Sequence, residues 1–570
     1  MGLGVLEPRN AGHVSGTVLL DQQAAHSEQQ TGRLKHGTGK NSHMVLAPQP
    51  SEDPNDPLNW SSAKKHFVLS VIFFGVIIHG CVPSPLLNAG VVNVALDLHK
   101  TPTAIAQLSG YMLLCTGAVG PFVSAIGRKY GKRPVYVASS IFGMIGILIS
   151  ESASGYSTLL AGRILQGVGI AAYEALVIAT IGDLFFVHER GPRVAIAMFM
   201  LAAISNGVSI IAGVITANLG WRFNFYICLP FGALQTILII LFGPETQYRR
   251  KAIYETDTAG SEENLEKLAS VEVRAARHVE NPTKSAEASS DDIERTTTLT
   301  SIEPIPPKKS FVKELALYSG VYTEDNFFKM VVASIAILLN VGCLYQVLMT
   351  GVIIAFYVVV AITSGVIFAS PPYLLGASTI GYMSAGPLIG GFFGALFPFF
   401  VAEPFVKFMT RKNKGVYEPE FCLIPVFTIG MVCACAGLAG WGRVVENGGS
   451  IYVVCFLWGL MLFGMTAIAS FCTQWALDAY RQHSTELFIM NMVFKNFFFY
   501  GLTNYVINWW ATSGALDMAG TMAGITAILC LLGIPIYVFG KKYRNHWHHH
   551  NLLKKLRLET DQTFGEGGAH

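Results

Sequence analysis

Six ionisable or amide side chains sit inside long apolar runs, where a folded chain rarely tolerates them. Arg163, Gln166 and Glu174 fall within one run that begins at Tyr156 and ends in the polar VHERGPR around Arg193. Arg163 and Glu174 are eleven residues apart, which on a helix puts them on one face about 16 Å from each other. Lys495 lies midway along another run, with Asn491 one turn earlier and Asn496 beside it. Ionisable groups at membrane depth are costly, and they face a bundle interior or a water-filled cavity rather than lipid. A desolvated carboxyl such as Glu174 has the chemistry to take and release a proton or to hold an organic cation. The competing reading is a structural partner for an interior Arg or Lys. A Glu174–Lys495 pair would serve either role.

The elements that must position these groups are membrane spans. The chain has 570 residues, 52% hydrophobic and 14% charged, with a mean hydropathy of +0.44. Soluble domains carry about 25% charged residues, so this is a polytopic membrane chain. Its net charge of +3 gives no argument for nucleic acid. All ten cysteines fall inside apolar runs, which predicts free thiols. No Gly-rich phosphate loop, nucleophile elbow or HExxH motif is present. Neither a cofactor nor a metal is expected, and the chain does not read as an enzyme. The HWHHH run at 546–550 has metal-binding composition but reads first as a basic tail.

Twelve apolar segments are predicted, at 66–90, 103–126, 134–152, 158–185, 192–218, 221–243, 340–368, 377–402, 421–441, 450–473, 484–510 and 517–540. Residues 1–65 form a polar tail expected to be disordered, and 244–330 an insert that is largely disordered. A tail follows from 541 to 570. No early apolar stretch of signal-peptide type precedes the first span, which is expected to act as its own insertion signal. Lys and Arg concentrate in alternate loops, as at Arg128, Lys129, Lys132 and Arg133, at Lys407 to Lys414, and at Arg481. This bias puts both termini in the cytosol. The basic turn GRKYGKR after segment two is echoed by TRKNKG after segment eight, which suggests two six-helix repeats. The expected architecture is therefore an all-α membrane protein, with bundles at 66–243 and 331–540.

These residues resemble the major facilitator superfamily, within it the fungal twelve-span group related to drug:proton antiporters and to the yeast polyamine and histidinol transporter. The stretches that carry the resemblance include DPNDPLNW, SPLLNAGVV, RKYGKRPVYV, GRILQGVGIAAYEALVIATIGDLFFVHERG, LGWRFNFYI, GPETQYRR, SPPYLLGASTIGYM, RKNKGVYEPEF and DAYRQHSTELF. The resemblance implies alternating access, driven by the proton gradient. The solute would be an organic cation, a polyamine or a drug-like compound. A small molecule, the proton and the lipid bilayer would be the partners of a monomer, in the plasma membrane or alternatively the endoplasmic reticulum or vacuole. It implies a proton-coupling position at Arg163, which competes with a packing role against span 1, and a polar solute contact at Asn88. Two departures stand out. Arg128 occupies the place of an acidic residue that helps latch the outward-open or inward-open state. In span 5 the stretch Val208–Gly213 keeps only Gly213 of a Gly-Pro-plus-glycines pattern, which leaves symport and uniport open beside antiport.

His79 reads either as a packed residue or as a proton relay. Its neighbours Pro83 and Pro85 predict a kink. Tyr357 and Tyr500, with Asn206 and Asn504, are candidate cavity-lining groups. Lys132, Arg133, Asp478, Arg481 and Glu486 read as gate charges on the cytosolic side. A transporter-like receptor that senses a nutrient is the rival class, with the central insert as its signalling segment.

Overall fold

The computed structural model describes residues 3–7, 17–19, 51, 53–248, 307–413, 416–480, 483–556 and 558. Among the described residues, ten helical runs are long and apolar enough to cross a membrane. The two other expected spans are helical as well, and the second of them carries Glu486 and Lys495. One combines α7, Val187–Phe199, and α8, Ser205–Asn218, through a π-helical turn; the other is α17, Ser484–Thr503.

In the first half, span 1 begins with α1, Ser62–Gly75, and ends with α2, Val91–Asp97. Between them it passes through a π-helical turn, Val76–Cys81, and a 3-10 turn, Pro85–Gly90. The prolines at 83 and 85 remove backbone donors there, so regular α geometry cannot continue. The other spans are α3, Pro102–Tyr130; α4, Lys132–Glu151; α5, Tyr156–Ala175, with α6, Val177–Leu184; the α7–α8 run; and α9, Arg222–Phe242. The start of α3 is written locally: Pro102 opens the helix, and the Thr101 hydroxyl accepts from the Ala104 amide at 3.3 Å.

The second half opens with α10, Phe327–Ala336, and a 3-10 turn, Ile337–Leu339. Its spans are α11, Val341–Ile367; α12, Ala377–Met383, with α13, Ala385–Phe397; and α15, Met431–Glu446. Then come α16, Ile451–Ala479; α17; and α18, Val506–Leu531, continued by α19, Gly533–His549. A short helix, α14, Glu403–Lys412, carries the basic loop after span 8. Span 11 bends after Thr503 and resumes at Val506, and the next helix is divided from it at Gly514, whose φ of 82° suits glycine.

The halves meet along α3 and α17, and again where α8 meets α12. Small residues make the first approach possible. Gly110 of α3 lies against Thr503, Gly117 against Asn496 and Phe497, and Gly120 against Met492. On the opposite face, Gly213 fits because a Cβ would sit 2.6 Å from the Ala377 carbonyl and 2.9 Å from the Gly381 Cα.

Two stretches differ from the expected disorder. Residues 53–60 form a compact polar knot at the mouth of span 1. Asp53 accepts from the Asn55 amide and, at 2.8 Å, from the Tyr248 hydroxyl; Asn55 accepts from Lys309 N at 2.8 Å and donates to Pro307 O at 3.2 Å. Lys64 pairs with Glu314 at 2.6 Å. Burial pushes the Tyr248 phenol up to about 12, so it stays protonated and donates. Tyr248 and Pro307 flank the insert, so one knot holds both its ends. Residues near the N-terminus rest on the second half. Leu6 N–H donates to Val538 O at 3.0 Å, and β1, Val18–Leu19, pairs antiparallel with β2, Val416–Tyr417. Short polar motifs found partners in distant parts of the chain, which composition alone does not reveal.

Candidate functional site

Glu174 sits in the last turn of α5, one residue before the helix ends at Ala175. Its carboxylate is paired with the Lys495 ammonium of α17 in the other half. The Lys495 side chain is 19% exposed and that of Glu174 16%, so the pair is neither sealed nor open to bulk solvent. Asn491, one turn before Lys495, accepts from Thr350 of α11 at 2.7 Å, and Gln346 donates to the same hydroxyl at 3.3 Å. Tyr357 of α11 donates to Asn206 of α8, a second polar bridge between the halves. Tyr500 lies toward the opposite end of α17, its ring 5.2 Å from that of Tyr111 on α3; nearby, Gln107 donates to Asn504 at 2.9 Å. Asn88 is buried, and its carbonyl approaches so close to Gly365 of α11 that any side chain there would overlap it.

Together these contacts form a polar band across the interface of two six-helix bundles. The sequence profile of the Major Facilitator Superfamily matches residues 69–494. The chain belongs to the Major Facilitator Superfamily. It is similar to an MFS-type transporter of Schizosaccharomyces pombe, 24% identical over 93% of this chain and 92% of that one. It is likewise similar to the protein HOL1 of Saccharomyces cerevisiae, 24% identical over 88% of this chain and 90% of that one. Among solved structures, a D-xylose-proton symporter aligns with a TM-score of 0.52 at 14% identity, over 84% of this chain and 99% of that chain. The xylose transporter XylE of Escherichia coli aligns at 0.50 and 14% identity, covering 83% and 97%. These likenesses are to the fold. As a Major Facilitator transporter of the fungal group, the chain is a multi-pass membrane protein that moves small solutes.

The remaining candidates lie away from the Glu174–Lys495 pair. Arg163 is fully buried inside the first bundle. Its Nη1 donates to the Pro83 carbonyl at 2.5 Å and to Gln166 at 3.0 Å, and its guanidinium stands 5.7 Å from the Phe225 ring. It therefore holds the broken part of span 1. Gln166 in turn donates to Ser150 at 3.3 Å. His79 is enclosed in the same bundle, stacked on Tyr173 at 5.4 Å. Its Nε2 meets Gln235 at 3.1 Å, and Gln235 donates to the Tyr173 hydroxyl at 2.6 Å, which is 2.6 Å from Ser140. Gln235, set in the apolar C-terminal part of α9, was the sequence signal for this chain of bonds. Without the partner positions it could not be read.

The charges on the basic-loop side resolve into three groups. Arg128 of α3 pairs with Glu486 of α17 at 2.8 Å, both buried. At the place where the resemblance implies an acidic residue, Arg128 instead meets an acid on span 11. Lys132 pairs with Asp183 at 2.5 Å, and the backbone amides of Lys132 and Arg133 donate to Glu245 at 2.9 and 3.1 Å. Arg133 also reaches the Ile240 carbonyl at 2.8 Å. In the second half, Glu420 accepts two bonds from Arg544, at 3.0 and 2.8 Å, and Lys541 pairs with Glu418 at 2.5 Å. Asp478 accepts from the Tyr417 hydroxyl at 2.5 Å. Arg481 lies outside the described residues. Sequence reasoning passed over Glu245, Glu418, Glu420 and Arg544.

Proposed function

We propose that this chain is a proton-coupled secondary transporter of a small organic cation, with polyamines and cationic drug-like compounds as the substrate class, and that Glu174 is the group solute and proton share. The observation that carries this reading is the Glu174–Lys495 pair. It joins the two halves at membrane depth and is the kind of contact a cation can replace. A cationic solute takes the place of the Lys495 ammonium on the carboxylate; protonating Glu174 then releases it. Either event removes the bond between α5 and α17 and lets the halves rock about the centre. Tyr357, Tyr500, Asn88 and Asn491 are proposed to line the route. Arg128 with Glu486, and Gly213 against α12, are proposed to close its two ends, with Lys132, Arg133 and Asp478 bracing the cytosolic side. The same reading puts both termini in the cytosol, the monomer in the plasma membrane, and the halves at 66–243 and 331–540.

The test is uptake of radiolabelled spermidine and of a cationic dye into proteoliposomes under an imposed pH gradient. Flux that collapses with an uncoupler and falls at least about tenfold in Glu174→Gln, about 1.4 kcal/mol or more of lost stabilisation, supports the proposal. The double exchange Glu174→Lys with Lys495→Glu is expected to restore part of what each single change removes. Solute binding without flux would establish the receptor reading. Flux indifferent to both the uncoupler and Glu174→Gln would remove Glu174 from the mechanism.

A further inference from the structure

The helix α10 and the turn that follows it, Phe327–Leu339, belong to no expected span. Thirteen residues at 1.5 Å each reach about 20 Å, short of the roughly 30 Å hydrocarbon layer. Their sequence nonetheless has two apolar faces. Met330, Ala333 and Ile337 are buried. Phe328, Val332, Ile335 and Leu339, spaced by four, three and four residues, are exposed to 71%, 47%, 53% and 48%. That spacing is one stripe along a helix. The buried side packs on α3 and α17, one from each half, with Phe327 and Phe122 ring centroids 6.3 Å apart.

The N-terminal end is tied to the basic loop. Tyr322 N–H donates to the Lys129 carbonyl at 2.9 Å, Lys129 Nζ to the Asp325 carbonyl at 2.9 Å, and Lys329 pairs with Asp325 at 3.2 Å. Charged residues therefore gather at that end, and Asn326 caps the helix by accepting from Phe328 N at 2.9 Å. At the other end Asn340 breaks the helix and caps α11, accepting from Gly342 N at 2.9 Å. Val341, the first residue of that span, is 56% exposed and extends the stripe.

We infer that Phe327–Leu339 is a membrane-inserted helix that does not cross, and that its outer stripe is covered by acyl chains of the leaflet on the basic-loop side. Three features select lipid as the occupant. The stripe continues onto Val341, the first residue of α11. Beside it, Phe122 of α3 is 43% exposed and extends the same apolar surface. The charges sit at one end only, as at a headgroup boundary. Because the inner face touches both α3 and α17, the helix braces the seam that the Arg128–Glu486 pair closes, and lipid packing there bears directly on whether the seam opens.

The test uses the full chain in vesicles, with a tryptophan introduced by Phe328→Trp and, separately, by Ile335→Trp, each read against the unmodified chain. Loss of the added emission in phospholipids brominated along the acyl chain, with no loss to aqueous iodide, is the expected result. Quenching by iodide and not by brominated lipid would overturn the inference, since the stripe would face water. Protection from both quenchers would overturn it as well, pointing to a second copy or another protein over the stripe. Two positions on the stripe keep the test intact where one variant fails to fold.

Discussion

The two halves solve the same corner with opposite charges. In the first, the start of the third span is basic and the end of the sixth is acidic: Glu245 receives the amides of Lys132 and Arg133. In the second, the start of the ninth span is acidic and the end of the twelfth is basic: Glu420 receives the Arg544 guanidinium. The repeat requires a bond there but does not fix its polarity. It also does not fix which atoms make it. The first corner gives its carboxylate backbone donors at a helix start, where amides lack intrahelical partners and a carboxylate is favoured, while the Arg133 side chain turns to the Gly243 and Ile240 carbonyls instead. The second uses a two-pronged side-chain contact. Side-chain truncation should therefore damage the second corner far more than the first.

That difference orders the predictions. Arg544→Ala is expected to be the most damaging, because it strands the buried carboxylate of Glu420, while Lys541 keeps its hold on Glu418. Removing one member of a buried pair costs about 3–5 kcal/mol, and the loss is measured by thermal unfolding of the purified protein in detergent. Next, Glu420→Arg combined with Arg544→Glu should recover more than half of the stability lost in either single variant. If it recovers none, the corner reads geometry and not sign alone, and the comparison breaks. Lys132→Ala should cost less, about 1.5–3 kcal/mol, since its charged side-chain bond to Asp183 is lost while the backbone amide still holds Glu245. A cost as large as that of Arg544→Ala would show that the first corner also depends on side chains.

The smallest effect is a pH dependence. Burial raises the Glu245 carboxyl above its ordinary range, against the lowering pull of three backbone amides and Lys132. A raised carboxyl binds its proton more tightly when folded, so its contribution to stability is full below the unfolded value and is lost as pH rises through the folded one. Unfolding temperatures taken between pH 7.5 and 5 should thus show wild type gaining relative to Glu245→Gln as the pH falls. Parallel curves would mean that Glu245 titrates as it does in the unfolded chain.

Much of this architecture was legible in the sequence. Apolar runs of spanning length, the prolines at 83 and 85 and the alternation of basic loops are local or additive signals, and the helices follow them. What required coordinates was pairing at a distance. Arg128 looked like the loss of a latch because its partner, Glu486, lies 358 positions away. The echo of GRKYGKR in TRKNKG pointed to Arg411 and Lys412, which are exposed, whereas the residues that correspond in space are Glu418 and Glu420, of the opposite sign. His79 had the chemistry of a relay but is enclosed by Tyr173 and Gln235. The helix at Phe327–Leu339 escaped notice because it is apolar yet too short to cross. For the site itself, residue type singled out Glu174 and Lys495, and the fold brought them together.

The knot at Asp53 and Asn55 has a consequence for how the two halves are tied. Tyr248 and Lys309 are fastened to neighbouring residues, so the mechanical leash between the bundles runs through the knot and bypasses positions 249–306. The hydrogen bonds of the knot, and not only the peptide chain, thus tie the two halves together, so a cut between Tyr248 and Lys309 would leave them coupled.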